Sequence, residues 1–348
     1  MAVNQRVAAA AGLAEVRKQD LPSVLAGLMD EYTVVAPVKK GKKSYSFEPV
    51  TKPETVCLDY NTTILPPKKA LHRPFQTLFS FRDDQVVEES VGPERMQILF
   101  GVHPCDVHAI EILDMAYTKE YPDPYYAAYR SSTLIVALNC TSVGENCFCR
   151  SMGTGPEAKS GYDLVFTDIG DSYLVEAGSA AGVDLLEKMD LEPSWRVKLV
   201  EKEHRLRTAE RHFSKKLDTA GLNVLLEENF RHPIWSELKE QCLGCGSCTM
   251  VCPTCFCYNV VDQMDLDLKG GKRQREWDSC MLLEYSEVAM GHNFRRDLDA
   301  RIKQRIYHKL AYYEPQFGTI GCVGCGRCIE TCIKGLDITR VIAALRGE

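Results

Sequence analysis

No run of this 348-residue chain approaches the ~20 consecutive apolar residues of a membrane-spanning helix. A basic excess is also missing, since 42 Lys and Arg stand against 48 Asp and Glu for a formal charge of −6. That balance argues against a nucleic-acid binder, whose footprint is a basic face or domain. There is no Gly-x-Gly-x-x-Gly and no P-loop, so no motif supports a flavin, nicotinamide or ATP site. Gly153-Thr-Gly155-Pro156 is glycine-rich but lacks the strand–loop–helix context and reads as a turn. Low-complexity segments are absent. The start, MAVNQRVAAAAGLAEVRKQD, lacks bulky apolar residues and is broken by Glu15, Arg17 and Lys18, so it reads as a first helix rather than an export signal.

What the chain has in quantity is cysteine, sixteen in all. In a chain of this length without an export signal, clustered Cys point to metal rather than disulfides, and to a cytoplasmic, reducing compartment. Two runs stand out. Cys242, Cys245, Cys248 and Cys252 follow the spacing Cys-x2-Cys-x2-Cys-x3-Cys and precede Pro253; Cys322, Cys325, Cys328 and Cys332 repeat it. This is the bacterial ferredoxin run, in which three thiolates hold one [4Fe–4S] cube and the fourth ligates its neighbour. The expected assignment is therefore crossed: Cys242, Cys245, Cys248 and Cys332 for the first cluster, and Cys322, Cys325, Cys328 and Cys252 for the second. Gly244, Gly246, Ser247, Gly324 and Gly326 supply the small residues such a loop needs near the sulfides. Zinc ribbons also use Cys-x2-Cys pairs, but eight Cys in two identical quartets fit iron–sulfur better. In the second run Ile333 replaces the proline, with little consequence for ligation.

A third quartet, Cys105, Cys140, Cys147 and Cys149, lies in two loops that each follow an expected strand. Loops leaving one sheet edge are where ligand sites form in α/β proteins. The expectation is a third [4Fe–4S] cluster, ahead of zinc or of buried free thiols. Of the remaining four, Cys57 reads as a core thiol, while Cys255, Cys257 and Cys280 read as packing beside a cluster rather than as a further site. His103 reads as a hydrogen-bonded structural histidine. The basic stretch with Arg295, Arg296, Arg301, Lys303, Arg305 and Lys309 reads as a solvated helix face or as a dock for an acidic partner.

The overall expectation is an α+β chain. Residues 1–235 form a mixed α/β domain, with strands at 32–36, 96–102, 133–138, 162–166 and 172–176. Helices are expected at 106–115, 181–189 and along 201–225. Residues 236–348 form a ferredoxin-like two-cluster domain carrying a helical insertion at 253–321, with a last helix at 337–345. Acid–base and nucleotide motifs are absent beside abundant one-electron centres, so no catalytic residue is assigned. An enzyme reducing sulfur or sulfite at the third quartet, or a zinc-stapled scaffold, are the competing readings.

Several segments together resemble one family: Gly101-Val-His-Pro-Cys-Asp106, Asn146-Cys-Phe-Cys149, Ser151-Met-Gly-Thr-Gly-Pro156, Cys252-Pro-Thr-Cys-Phe-Cys257, Trp277-Asp-Ser-Cys280, Arg305-Ile-Tyr-His-Lys309 and Thr63-Ile-Leu-Pro-Pro-Lys-Lys69. The chain resembles, over nearly its whole length, the iron–sulfur β subunits of soluble cytoplasmic [NiFe] hydrogenases of the sulfhydrogenase type. That group includes the A subunit of anaerobic sulfite reductase and related electron-input subunits. The resemblance implies an anaerobic electron relay in a hetero-oligomer. One partner would be a flavin-containing subunit reactive with NAD(P)H. The other would be [NiFe] hydrogenase small and large subunits, a sulfite-reducing subunit or a heterodisulfide-reductase-linked complex. Protein purified without oxygen should carry about eight irons per chain for the two runs and about twelve with the third quartet loaded. Clearly fewer than eight, or zinc alone, would remove the two-cube reading.

Overall fold

The structure is a computed structural model that describes residues 12–83, 85–88 and 91–348. Its main sheet uses β1 (Leu13–Arg17), β2 (Thr33–Lys39) and β3 (Tyr45–Pro49), while β4 (Phe75–Arg82) and β5 (Gln85–Glu88) form a separate hairpin. The main sheet continues with β6 (Gln97–Val102), β7 (Thr133–Leu138), β8 (Leu164–Asp168), β9 (Ser172–Ala177) and the short β10 (Glu192–Pro193), in the order β10-β1-β9-β8-β7-β6-β2-β3. The four central strands β2, β6, β7 and β8 are parallel, and the outer pairings are antiparallel. β6 is buried along its whole length and β7 nearly so, as their unbroken apolar sequences require of strands covered on both faces. Phe100 and Phe166 meet edge to face beneath them, 5.1 Å between ring centres.

The strand expectations land on β2, β6, β7, β8 and β9. The helices at 106–115 and 181–189 are α2 (Pro104–Thr118) and α4 (Ala180–Lys188); α1 (Leu21–Glu31) and α3 (Pro124–Ser131) complete this part. The expected first helix falls largely on residues outside the described ones, and its described end is instead β1, which pairs with β9 through Ala14 and Val16. The charged stretch at 201–225 is not one helix. α5 (Val197–Glu210) ends, an extended segment follows, and α6 (Leu222–Glu228) starts after Gly221 at φ +60°.

The C-terminal part opens with α7 (Ile234–Gln241), which hands its last turn to Cys242. The two Cys runs fold alike: each ends in a single helical turn, α8 (Ser247–Met250) and α11 (Arg327–Glu330), after glycines at φ +74° and +75°. The insertion between them is not helical throughout. Its first part is a β-hairpin, β11 (Tyr258–Met264) and β12 (Gly270–Trp277), and β12 pairs with β4 to complete a four-stranded antiparallel sheet, β11-β12-β4-β5. The basic segment 269–275 is thus mostly strand, held by its ladder with β4, with Lys272 and Arg273 exposed and Arg275 buried. Beyond it come α9 (Leu298–Tyr307), a π turn over His308–Tyr312, and α10 (Tyr313–Phe317). α12 (Ile338–Arg346), capped by the Asp337 side chain, closes the chain.

The two parts are tied by buried polar contacts. Arg327 and Asp106, 3% and 1% exposed, meet in a two-bond ion pair at 2.6 and 2.7 Å, and Arg327 also donates to the Thr63 carbonyl at 3.0 Å. Arg275 of β12 pairs with Asp123, the residue that caps α3. Removing one partner of a buried pair leaves an uncompensated charge, at roughly 3–5 kcal/mol. Asp106→Ala should therefore destabilise the protein by about that much in anaerobic denaturant unfolding. The double variant Asp106→Leu/Arg327→Met should recover most of the loss. Unfolding of Asp106→Ala at the wild-type midpoint would mean that the pair does not hold the two parts together.

Candidate metal centres

The third quartet is assembled by the sheet. β6 and β7 are adjacent and parallel, so the chain leaves both at one edge. A bulge at Gly101, φ +79°, shifts the β6 register there, and a side chain at that position would strike Leu58. The kinked strand then runs through His103 into Pro104, whose fixed φ suits a helix start, and Cys105 falls in the first turn of α2. Cys140 leaves β7 next door. Cys105, Cys140, Cys147 and Cys149 line a single cavity with His103, Arg327 and Cys325. Gly155 packs so closely that a Cβ there would sit 2.8 Å from the Cys149 sulfur. His103 is stacked on Tyr60 at 4.1 Å, and burial first, then Arg327, pushes its pKa down to about 3. It is a neutral, buried wall of the cavity.

Cys242, Cys245, Cys248 and Cys332 line a second cavity, together with Cys328, Arg305 and apolar side chains including Leu238, Met281, Ile302 and Ile306. Backbone N–H groups already point at sulfur: Gly244 donates to Cys242 and Leu336 to Cys332, each at 3.3 Å. Cys245 is the exposed member. Cys322, Cys325 and Cys328 lie deeper, and each has the Cys252 thiol as an electrostatic neighbour. The second run rests on the third quartet's loop: Phe148 N–H donates to Gly324 O at 2.8 Å, and Thr154 donates to Val323 O at 2.7 Å. A Cβ at Gly324 would lie 2.6 Å from the Cys149 nitrogen, so only glycine allows this approach.

Among the described residues no three His, Cys, Asp or Glu side chains converge closely enough to share one metal ion. The thiols of the first run with Cys332, and those of the third quartet, instead line two cavities, as a cube with a thiolate at each of four corners requires. Burial pushes Cys149 and Cys322 up to about 12 and Cys248 to about 11. Such thiols are neutral until iron displaces their protons. The residues present therefore fit iron–sulfur groups: soft donors, a dry lining and N–H groups aimed at sulfur.

The remaining thiols divide. Cys57 is not a core thiol; it is half-buried and bonds the Asp59 carbonyl at 3.5 Å. Cys255 is buried against Cys252, and Cys257 is hydrogen-bonded to Cys280. Sequence reasoning placed Arg305 and Lys309 with the surface cations, whereas both turn inward. Their spacing of four, one turn apart beside Ile302 and Ile306, was the available signal. It also passed over Arg327 and Lys68, whose burial depends on tertiary contacts.

Two ferredoxin-type cysteine runs folded alike around neighbouring thiols define an iron–sulfur protein of the dicluster class. Residues 241–336 match the family described as a 4Fe-4S dicluster domain. Over 338 residues the chain is 37% identical to sulfhydrogenase 2 subunit beta of Pyrococcus furiosus, covering 95% of this chain and 98% of that protein. The chain belongs to the sulfhydrogenase subunit beta family. No solved structure matches it. Cys147→Ser protein, loaded without oxygen, should carry about four irons per chain fewer than wild type, while Cys57→Ser should lose none. Unchanged iron in Cys147→Ser would remove the third quartet as a cluster site.

Proposed function

We propose that this chain is an electron-transfer subunit of a hydrogenase or sulfur-reductase complex, carrying electrons through three thiol-ligated sites in series. Its relative is, by name, the beta subunit of a sulfhydrogenase. A [4Fe–4S] group supplies reversible one-electron storage when bound. The observation that carries the serial arrangement is that the second run lines both neighbouring cavities, Cys328 that of the first run and Cys325 that of the third quartet. The chain's own residues line these sites and bring both ends near the surface, the Cys245 end beside exposed Leu243 and Ile333 and the third-quartet end beside exposed Asn61 and Ser142.

In this reading a flavin-containing subunit reactive with NAD(P)H meets one end. A [NiFe] hydrogenase module or a sulfur- or sulfite-reducing module meets the other. Among the described residues no helix is long and apolar enough to cross a membrane, which suits a cytoplasmic complex. The iron-loaded chain alone should neither evolve hydrogen nor reduce sulfite when given a strong reductant. With the flavin-containing subunit and NAD(P)H its visible absorption should bleach, and adding the catalytic module should restore it. Turnover by the isolated chain would favour an enzyme in its own right.

A further inference from the structure

Two buried cations, Lys309 and Lys68, and the part-buried Arg305 lie around the thiols assigned to the second cluster, and among the described residues no acid is ion-paired with them. Arg305, on α9, lines the first run's cavity; its Nε is shut off from solvent and has no hydrogen-bond partner. The ionisable groups facing it are the thiols of Cys248, Cys328, Cys252 and Cys255. Lys309 lies one turn on, where the helix widens into the π turn. It is 3% exposed and donates to the Thr254 carbonyl at 3.0 Å and its hydroxyl at 2.9 Å, with Cys252 and Cys255 beside it. Lys68, also 3% exposed, donates to the Cys255 carbonyl and lies 4.2 Å above the Trp277 ring. An uncompensated buried cation is costly unless an opposite charge is near. Here the charge that fits is the net negative charge of an iron–sulfur group held by four thiolates.

The distribution is uneven. Arg305 faces Cys248 of the first run and is hydrogen-bonded to Cys328 of the second. Lys309 and Lys68 face Cys252 and Cys255, and Lys309 faces Cys322 as well. Asp337, near Cys328, is offset by Lys215 at 2.6 Å. The cation near the third quartet is Arg327, and Asp106 neutralises it in the two-bond pair. Adding an electron adds negative charge, which a nearby unpaired cation favours, and local charge is one of the determinants of cluster potential. We propose that Arg305, Lys309 and Lys68 make the site of Cys322, Cys325, Cys328 and Cys252 the most oxidising of the three, so that an electron in transit rests in the middle of the chain.

This rests on the relay reading, and the test separates the two. Anaerobic redox titration, followed by electron paramagnetic resonance with iron assayed on each sample, is run on wild type, Lys309→Met, Arg305→Gln and Arg305→Lys. In wild type one cluster should reduce clearly before the others. Lys309→Met should lower that midpoint alone. Arg305→Gln should lower it together with one other, and Arg305→Lys, which keeps the charge, should restore most of the loss. Full iron with unmoved midpoints in Lys309→Met and Arg305→Gln would overturn the inference and leave the relay intact. So would a wild-type titration in which the cluster that reduces first is unaffected by Lys309→Met. Absence of cluster iron from wild type would overturn the relay itself. If Arg305→Gln fails to load iron, Lys309→Met and the wild-type order decide.

Discussion

The arrangement of this molecule depends on how the second cysteine run is seated against the sheet. The Arg327–Asp106 pair joins the single helical turn within that run to the first turn of α2, and the Thr63 carbonyl holds the same guanidinium. Burying two charges costs desolvation that their attraction offsets only when the geometry is good and further hydrogen bonds are made. Both conditions hold here. Such a pair contributes little net stability but strongly disfavours other seatings. The backbone approach of Gly324 to the Phe148–Cys149 segment follows from it.

That seating turns three separate thiol groups into neighbours. Cys325 reaches the cavity built at the β6–β7 edge, and Cys328 reaches the cavity under α7 and α9. The insertion is part of the same construction. β12 completes a sheet with β4, its Arg275 meets Asp123, and α9 brings Arg305 and Lys309 inward against the Cys252 loop. A cluster pair in a free ferredoxin has solvent to screen its charge. Here the screening falls to fixed cations, so the chain has the means to set the electrostatics of each site separately.

Much of this was legible in the residues. Unbroken apolar strands located β6 and β7, because strands buried on both faces leave no room for alternation. The eight ferredoxin-type cysteines were legible because ligand spacing is local. The third quartet was legible once two loops were seen to leave strands, since adjacent parallel strands must release their chains at one edge. Less was legible where partners are distant in sequence. β1 looked helical in its alanine-rich setting, and only pairing with β9 makes it a strand. The hairpin was read as part of a helical insertion because the strand it pairs with, β4, lies almost two hundred residues earlier. Cys57 looked like core for want of any local sign of its exposure.

Sequence alone determined which thiols stand at cluster-ligand spacing, since thiol spacing along a tight loop is a property of a few consecutive residues. It also determined the family, through motifs scattered along the whole chain. Tertiary structure decided the order of the sites and the charge around each. Whether Arg305 and Lys309 meet water or sulfur, and whether Arg327 carries a net charge or is cancelled by Asp106, depends on elements that pack across hundreds of residues. Electrostatic energy in a dry interior is set by those distances, and a local pattern encodes at most which face of a helix turns inward.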